Sequence, residues 1–149
     1  MSTVPQTDAT VEAAQAWSRF LASLRRARAR LAQDPEARLT LPQYLLISPL
    51  LDEPGRTVGA LAAAAGVASP TATRMLDGLE RDGIVLREAS EHDRRAVALR
   101  LTPAGARVAR AERARLEAKR AALFEALEPK ERAQAARLLD RLADVLEDV

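Results

Sequence analysis

The sequence predicts a mainly α fold with a small β-hairpin wing, a winged helix-turn-helix with long N- and C-terminal dimerisation helices. Three consecutive stretches predict it. Residues 57–66 space apolar side chains as a short helix, 69–82 as a longer helix opened by Ser69-Pro70, and 84–101 alternate as a two-stranded hairpin. Helix, turn, helix, hairpin is an order whose second helix suits the DNA major groove. The 149 residues are expected to form a single chain unit, with dimerisation helices at 9–33 and 103–149 around a lobe at 40–102.

Composition excludes several classes of chemistry. Cysteine is absent, which removes disulfides, thiolate metal sites, cysteine nucleophiles and thiol switches. The first residues lack the basic and apolar regions of a secretory leader. The longest apolar run, 58–68, is shorter than the roughly 20 residues of a membrane span. No membrane association and a cytoplasmic location are therefore expected. Basic residues number 23 against 21 acids, so a net charge of +2 says little about nucleic acid. A run of arginines at 19, 25, 26, 28 and 30 reads as a solvated helix face.

After a polar, frayed lead-in, Val11, Ala14, Trp17, Leu21, Leu24 and Leu31 mark one face of a helix over 9–32, ended by Asp34-Pro35. Thr40 can cap a second helix with Pro42 in its first turn. Leu41, Tyr44, Leu45, Ile47, Leu50 and Leu51 make it apolar on nearly every side, hence heavily buried, and Pro49 predicts a kink or break near Ser48. Thr57 caps the third helix, which buries Val58, Leu61, Ala62 and Ala65 and stops at Gly66.

Ser69 is expected to cap the fourth helix, with Pro70 at its first position. At about 100° per residue, Ala72, Met75, Leu76 and Leu79 fall inward, and Pro70, Thr73, Arg74, Asp77 and Arg81 fall outward, with Thr71 and Gly78 on a flank. The outward N-terminal end therefore offers hydroxyls and an arginine, the end that meets bases in helix-turn-helix proteins. Beyond Gly83 come a strand at Ile84, Val85 and Leu86 and a return strand with Val97, Leu99 and Leu101 on one face. The tip between them holds Glu88, Ser90, Glu91, His92, Asp93, Arg94 and Arg95, placed to meet phosphates or the minor groove.

Thr102-Pro103 opens a fifth helix running to about residue 127 with an Arg/Glu-rich outer surface, and Glu128-Pro129 separates it from a last helix carrying Leu138, Leu139, Leu142, Val145, Leu146 and Val149. These terminal helices hold more apolar residues than a small winged lobe can cover. A dimer interface shared with the first helix is the expected use, with an intramolecular cap on a monomer as the alternative.

Asp93-Arg94-Arg95 followed by Leu101-Thr102 resembles the signature of the MarR (multiple antibiotic resistance regulator) family. The stretch 39–43, Leu61-Ala62, Gly66-Val67, Thr71-x-Thr73-Arg74, Leu79-Glu80 and Gly83 fall at that family's spacings. The resemblance covers almost the whole chain. It implies a triangular homodimeric transcription factor, usually a repressor, on double-stranded DNA with half-sites about one turn apart. It places Thr71, Thr73 and Arg74 on the major-groove helix opened by Ser69 and Pro70, and sends Arg95 into the minor groove, steadied by Asp93.

Arg74 is then the candidate for a guanine edge, worth roughly 1–3 kcal/mol of discrimination. Arg87, Arg94 and Arg100 are phosphate candidates. The family's effector pocket, often for anionic aromatics, would lie near the first, second and fifth helices; Trp17, Phe20, Tyr44 and Arg25 are either lining, core or surface. Two departures stand out: Ala68 where a serine-like cap is common, and Pro49, which bears on the hinge between dimer and lobe.

An enzyme is not expected. His92 is the only histidine and stands on the wing without metal-ligand companions, and no cofactor is implied. The remaining alternative is a winged-helix protein-interaction module without DNA affinity, since 69–102 balances six arginines against six acids.

Overall fold

The computed structural model describes residues 8–93 and 95–148, so the lead-in at 1–7, Arg94 and Val149 lie outside them. The first helix, α1 (Asp8–Ala32), ends before Asp34-Pro35, as its apolar spacing predicts. Next, α2 (Leu41–Ile47) is closed by a reciprocal capping box: Thr40 Oγ1 accepts the Gln43 N–H at 3.3 Å, and Gln43 Oε1 accepts the Thr40 N–H at 2.9 Å. Pro49 has no N–H to continue the helix, and the chain tightens into a 3₁₀ turn over Ser48–Leu51, the expected break.

Uniform burial of this segment does not follow. Leu46, Ile47 and Leu50 enter the core, while Leu45 is 44% exposed. A helix of two turns presents one side to its neighbours, and Leu45 falls on the other.

The strand β1 (Arg56–Thr57) was not legible as a strand; it pairs antiparallel with β3 (Val97–Leu101), which pairs in turn with β2 (Val85–Ala89). The sheet order is β1-β3-β2, with Thr57 opposite Ala98 and Arg87 opposite Leu99. Burial does not follow the alternation of the return strand at its start: Val97 is exposed and Ala98 is buried beside Leu99. Val97 lies beyond the reach of β1, whereas Ala98 is flanked by a strand on each side.

Between β1 and β2 lie α3 (Val58–Ala65) and α4 (Ser69–Arg81). Leu61 and Ala62 of α3 and Ala72, Leu76 and Leu79 of α4 meet Leu46, Ile47, Leu50, Val85 and Leu99 in one core. Near-total removal of these side chains from water, at roughly 1.5–3 kcal/mol each for the larger ones, is what holds the lobe together.

The helix α5 (Pro103–Glu125) starts on a tight seam. Thr102 Oγ1 accepts the Gly105 N–H at 2.9 Å and donates to the Gly83 carbonyl at 2.5 Å, while the Thr102 N–H donates to the Ile84 carbonyl at 3.0 Å. Gly105 lies against that same carbonyl, leaving no room for a side chain. The buried residues of α5 are Gly105, Ala109 and Glu112.

Glu112, 3% exposed, corrects the expected acid-and-base exterior. Its carboxylate is paired with Arg115, which also reaches Asp34 at 2.6 Å; Lys119 meets Asp34 at 2.8 Å. A carboxylate buried this far is tolerable only with such partners. The Lys119 hydrogen bond first, and then the Glu36 N–H, hold the Asp34 carboxyl below its ordinary range.

The last helix, α6 (Pro129–Glu147), has no buried residue, nor does α1. Val11, Trp17, Phe20 and Leu24 on α1, Leu123 on α5, and Leu138, Leu139, Leu142, Val145 and Leu146 on α6 are exposed within the single chain.

Candidate nucleic-acid interface and effector cavity

The turn between α3 and α4 is set by Gly66 at φ +66°, a conformation costly for a residue with a Cβ. Its N–H bonds back to Ala63 and that of Val67 to Ala62, a Schellman closure that seats Val67 against the core. Gly83, at φ +70°, ends α4 in the same way, with Ile84 N–H bonded to Leu79 O at 2.9 Å.

The cap of α4 differs from the expectation. Ala68 is the N-cap, because its carbonyl accepts the first helical bond, from the Ala72 N–H at 3.0 Å. Ser69 and Pro70 are already inside the first turn, where the missing proline N–H forfeits nothing. The Ser69 hydroxyl is thereby released from capping.

Ser69, Pro70, Thr71, Thr73 and Arg74 are all exposed on α4. Arg74 has no ion-pair partner among the described residues. The opposite face of the helix is the core face read from the sequence, with Met75 packed at its margin.

On the wing, Asp93 acts on backbone. Its Oδ1 accepts the Arg95 N–H at 2.9 Å and its carbonyl accepts the Ala96 N–H at 3.0 Å, while the Ser90 N–H bonds to Ala96 O at 3.0 Å. These bonds close the tip and present an exposed Arg95 whose side chain has no ion-pair partner among the described residues.

The other wing arginines are differently committed. Arg100 Nε donates to Glu88 Oε2 at 2.7 Å across the strands. Arg87 turns away from the tip onto α4, where Nη2 meets Asp77 Oδ1 at 2.7 Å and Nη1 meets Glu80 Oε2. The Asp77 hydrogen bond, with Glu80 beside it, holds the Arg87 guanidinium above its ordinary range. Free phosphate-seeking charge, expected of Arg87, is not what the geometry gives; Arg94 lies outside the described residues.

A second concave region lies beside α1 and α2, bounded by α5 on one side and by the end of α3 on the other. Two cavities, of about 430 and 300 Å³, share Arg28, Leu41 and Leu45. The larger is also lined by Tyr44, Arg113, Leu116, Glu117 and Arg120. Of the sequence candidates Tyr44 lines it, whereas Trp17 and Phe20 lie against each other on the outside of α1, ring centroids 6.3 Å apart and tilted by 37°. Sequence reading missed Arg28, Arg113 and Arg120, since arginines recurring along helices look like solvated faces.

Arg113 also grips the end of the second helical segment. Nη1 and Nη2 meet Asp52 Oδ1 and Oδ2 at 3.1 and 2.8 Å, and Nη2 donates to the Ser48 carbonyl at 3.2 Å. This bidentate pair is the strong form of an arginine–carboxylate contact. It draws the Asp52 carboxyl below its ordinary range and, with Tyr44 nearby, raises the guanidinium further.

An arginine-tipped hairpin beside an exposed helix, mounted between long helices, defines the winged helix-turn-helix class of regulators. A family model described as "MarR family" matches residues 39–97, and the chain belongs to the MarR family of transcription regulators. Among solved structures, FabT of Streptococcus pneumoniae, seen in complex with DNA, is 26% identical with a TM-score of 0.75; the match covers 95% of this chain and 99% of FabT. The PcaV transcriptional regulator of Streptomyces coelicolor is 27% identical with a TM-score of 0.69, over 89% and 98% of the two chains. The transcriptional repressor CouR, bound to a 23-mer DNA duplex, is 31% identical with a TM-score of 0.64, over 81% and 89%. No curated protein sequence matches the chain significantly.

Proposed function

We propose that the chain acts as a homodimeric, sequence-specific DNA-binding repressor on a pseudo-palindromic operator, released by a small anionic aromatic effector. One observation carries the reading: Arg74 on α4 and Arg95 on the wing tip are exposed and unpaired among the described residues, while Arg87 and Arg100 are paired. Arg74 would meet a guanine edge from the major groove, flanked by Ser69, Pro70, Thr71 and Thr73. Arg95 would enter the minor groove on a turn that Asp93 pre-shapes, with Arg94 next to it as a phosphate contact. The uncovered apolar stripes of α1 and α6 support pairing of two chains, and DNA-bound FabT and CouR support duplex as the partner.

The effector would occupy the cavity beside Tyr44, where Arg28 and Arg120 form no ion pair among the described residues and Leu41, Leu45 and Leu116 supply apolar wall. It shifts DNA binding only through a difference in its affinity for the two lobe spacings.

Gel-shift titration against the chain's own upstream DNA tests the reading. Arg74→Ala and Arg95→Ala are each expected to weaken binding by about tenfold or more. Variants that bind every duplex as tightly as the unaltered chain would overturn the assignment.

A further inference from the structure

Asp77 and Glu80 are three residues apart, so both carboxylates lie on one face of α4. That helix is the one read as entering the major groove. Two acids on a surface that meets a polyanion weaken binding by themselves. Their placement needs another explanation, and Arg87 supplies it.

Arg87 stands at the middle of β2 opposite Leu99, within the paired part of the wing rather than at its tip. Its two terminal nitrogens go to different carboxylates, Nη2 to Asp77 at 2.7 Å and Nη1 to Glu80. A planar fork held at two points sets both the distance and the rotation between strand and helix, which a point charge does not. The side chain is only 25% exposed, so the fork is partly shielded from water.

We propose that Arg87 is a positioning residue for DNA binding: it spans from the wing's first strand to Asp77 and Glu80 and holds α4 at one angle to the hairpin before a duplex arrives. The inference rests on the reading of α4 and the wing as a joint DNA-binding unit. Arg74 and Arg95 sit on different elements, and two grooves must be met in register. Fixing that register in the free protein removes an ordering cost from the binding step. The acids weaken the electrostatic attraction and in return supply geometry.

The test uses the full chain, its own upstream duplex and fluorescence anisotropy over a salt series. The variants are Arg87→Lys, Arg87→Gln and the double substitution Asp77→Asn with Glu80→Gln. All three are expected to weaken binding by about tenfold, the loss that accompanies roughly one more side chain's worth of ordering. Their melting temperatures should stay close to that of the unaltered chain, because both carboxylates remain largely in water and such pairs contribute little to stability. Arg87→Lys should also keep the salt slope, whereas a lost phosphate contact lowers it by about 0.9.

Full binding by Arg87→Lys, or tighter binding by the doubly neutralised helix, would overturn the clamp and return Arg87 to the phosphates. An unaltered chain that binds no duplex defeats the regulator reading and the clamp's role with it, and so separates that failure from the failure of the clamp alone.

Discussion

Replacing Gly105 by alanine should destabilise the chain, although alanine is the better helix former. A methyl at this position would stand 1.9 Å from the Ile84 carbonyl oxygen, 2.7 Å from its carbon and 3.0 Å from its Cα. Relieving the overlap requires α5 and the Ile84 peptide to part by about 1 Å, the kind of overpacking that costs roughly 1–3 kcal/mol. The Ile84 carbonyl is not free to retreat, because it accepts the Thr102 N–H at 3.0 Å. Weakening that bond adds about 1 kcal/mol, and the helix-propensity gain offsets about the same amount. The net loss is therefore about 1–3 kcal/mol, a fall in melting temperature of roughly 2–12 °C at the roughly 2–4 °C per kcal/mol that suits a chain of this size. Gly78 is the internal control: it also lies within a helix, and a methyl there would meet only the flexible Arg81 Nη2 at 3.9 Å. Gly78→Ala should stabilise by up to about 1 kcal/mol. Thermal melts followed by circular dichroism without DNA compare the two. A Gly105→Ala protein melting at or above the unaltered chain would refute the close-approach argument.

Three further outcomes are expected. Removing the Thr57 hydroxyl, which accepts the Ala60 N–H at 3.2 Å, should cost about 1 kcal/mol in urea unfolding, whereas Ser69→Ala should stay within about 0.5 kcal/mol, since Ala68 caps α4. Equal losses would restore Ser69 as the cap. The Asp52 and Asp34 carboxyls are held below their ordinary range, so their contribution to stability is complete above the unfolded pKa and is lost as pH falls through the lowered folded one. Urea midpoints measured from about pH 5 to about pH 2 should thus fall less steeply in Asp52→Asn; an unchanged acid slope would count against the Arg113 pair. Leu142→Glu, on the exposed apolar side of α6, should weaken self-association by at least about thirtyfold in sedimentation equilibrium, and unchanged association would place the dimer contact elsewhere.

Local chemistry was the legible part of this chain. Hydroxyl-plus-proline starts at Thr40 and Thr102, glycine stops at Gly66 and Gly83, and the break at Pro49 each depend on a few adjacent residues. What escaped depends on residues brought together from afar. Arg56-Thr57 is too short to show alternation and becomes a strand only because Leu99 and Ala98 lie beside it. Glu112 has the look of a surface residue until Arg115 and Asp34 converge on it. The same holds at the proposed DNA face: the helix and the wing were visible as elements, but nothing in the periodicity distinguishes the paired Arg87 from Arg74, which has no ion-pair partner among the described residues. The Ser69 cap failed because either of two neighbouring residues could precede the helix, and the Ala72 to Ala68 bond decided it.

Up to Lys119, α5 is tied along its length to the segments that precede it. It is fastened at Thr102 to Gly83 and Ile84, at Arg113 to Ser48 and Asp52, and at Arg115 and Lys119 to Asp34. With these ties ending at Lys119 among the described residues, a displacement of this part of α5 is expected to carry the end of α4 and the root of the wing with it. Arg120, which lines the larger cavity, stands one residue past the last of these ties, so under the two-chain proposal a ligand held there would press on the stretch of α5 that the winged unit does not hold.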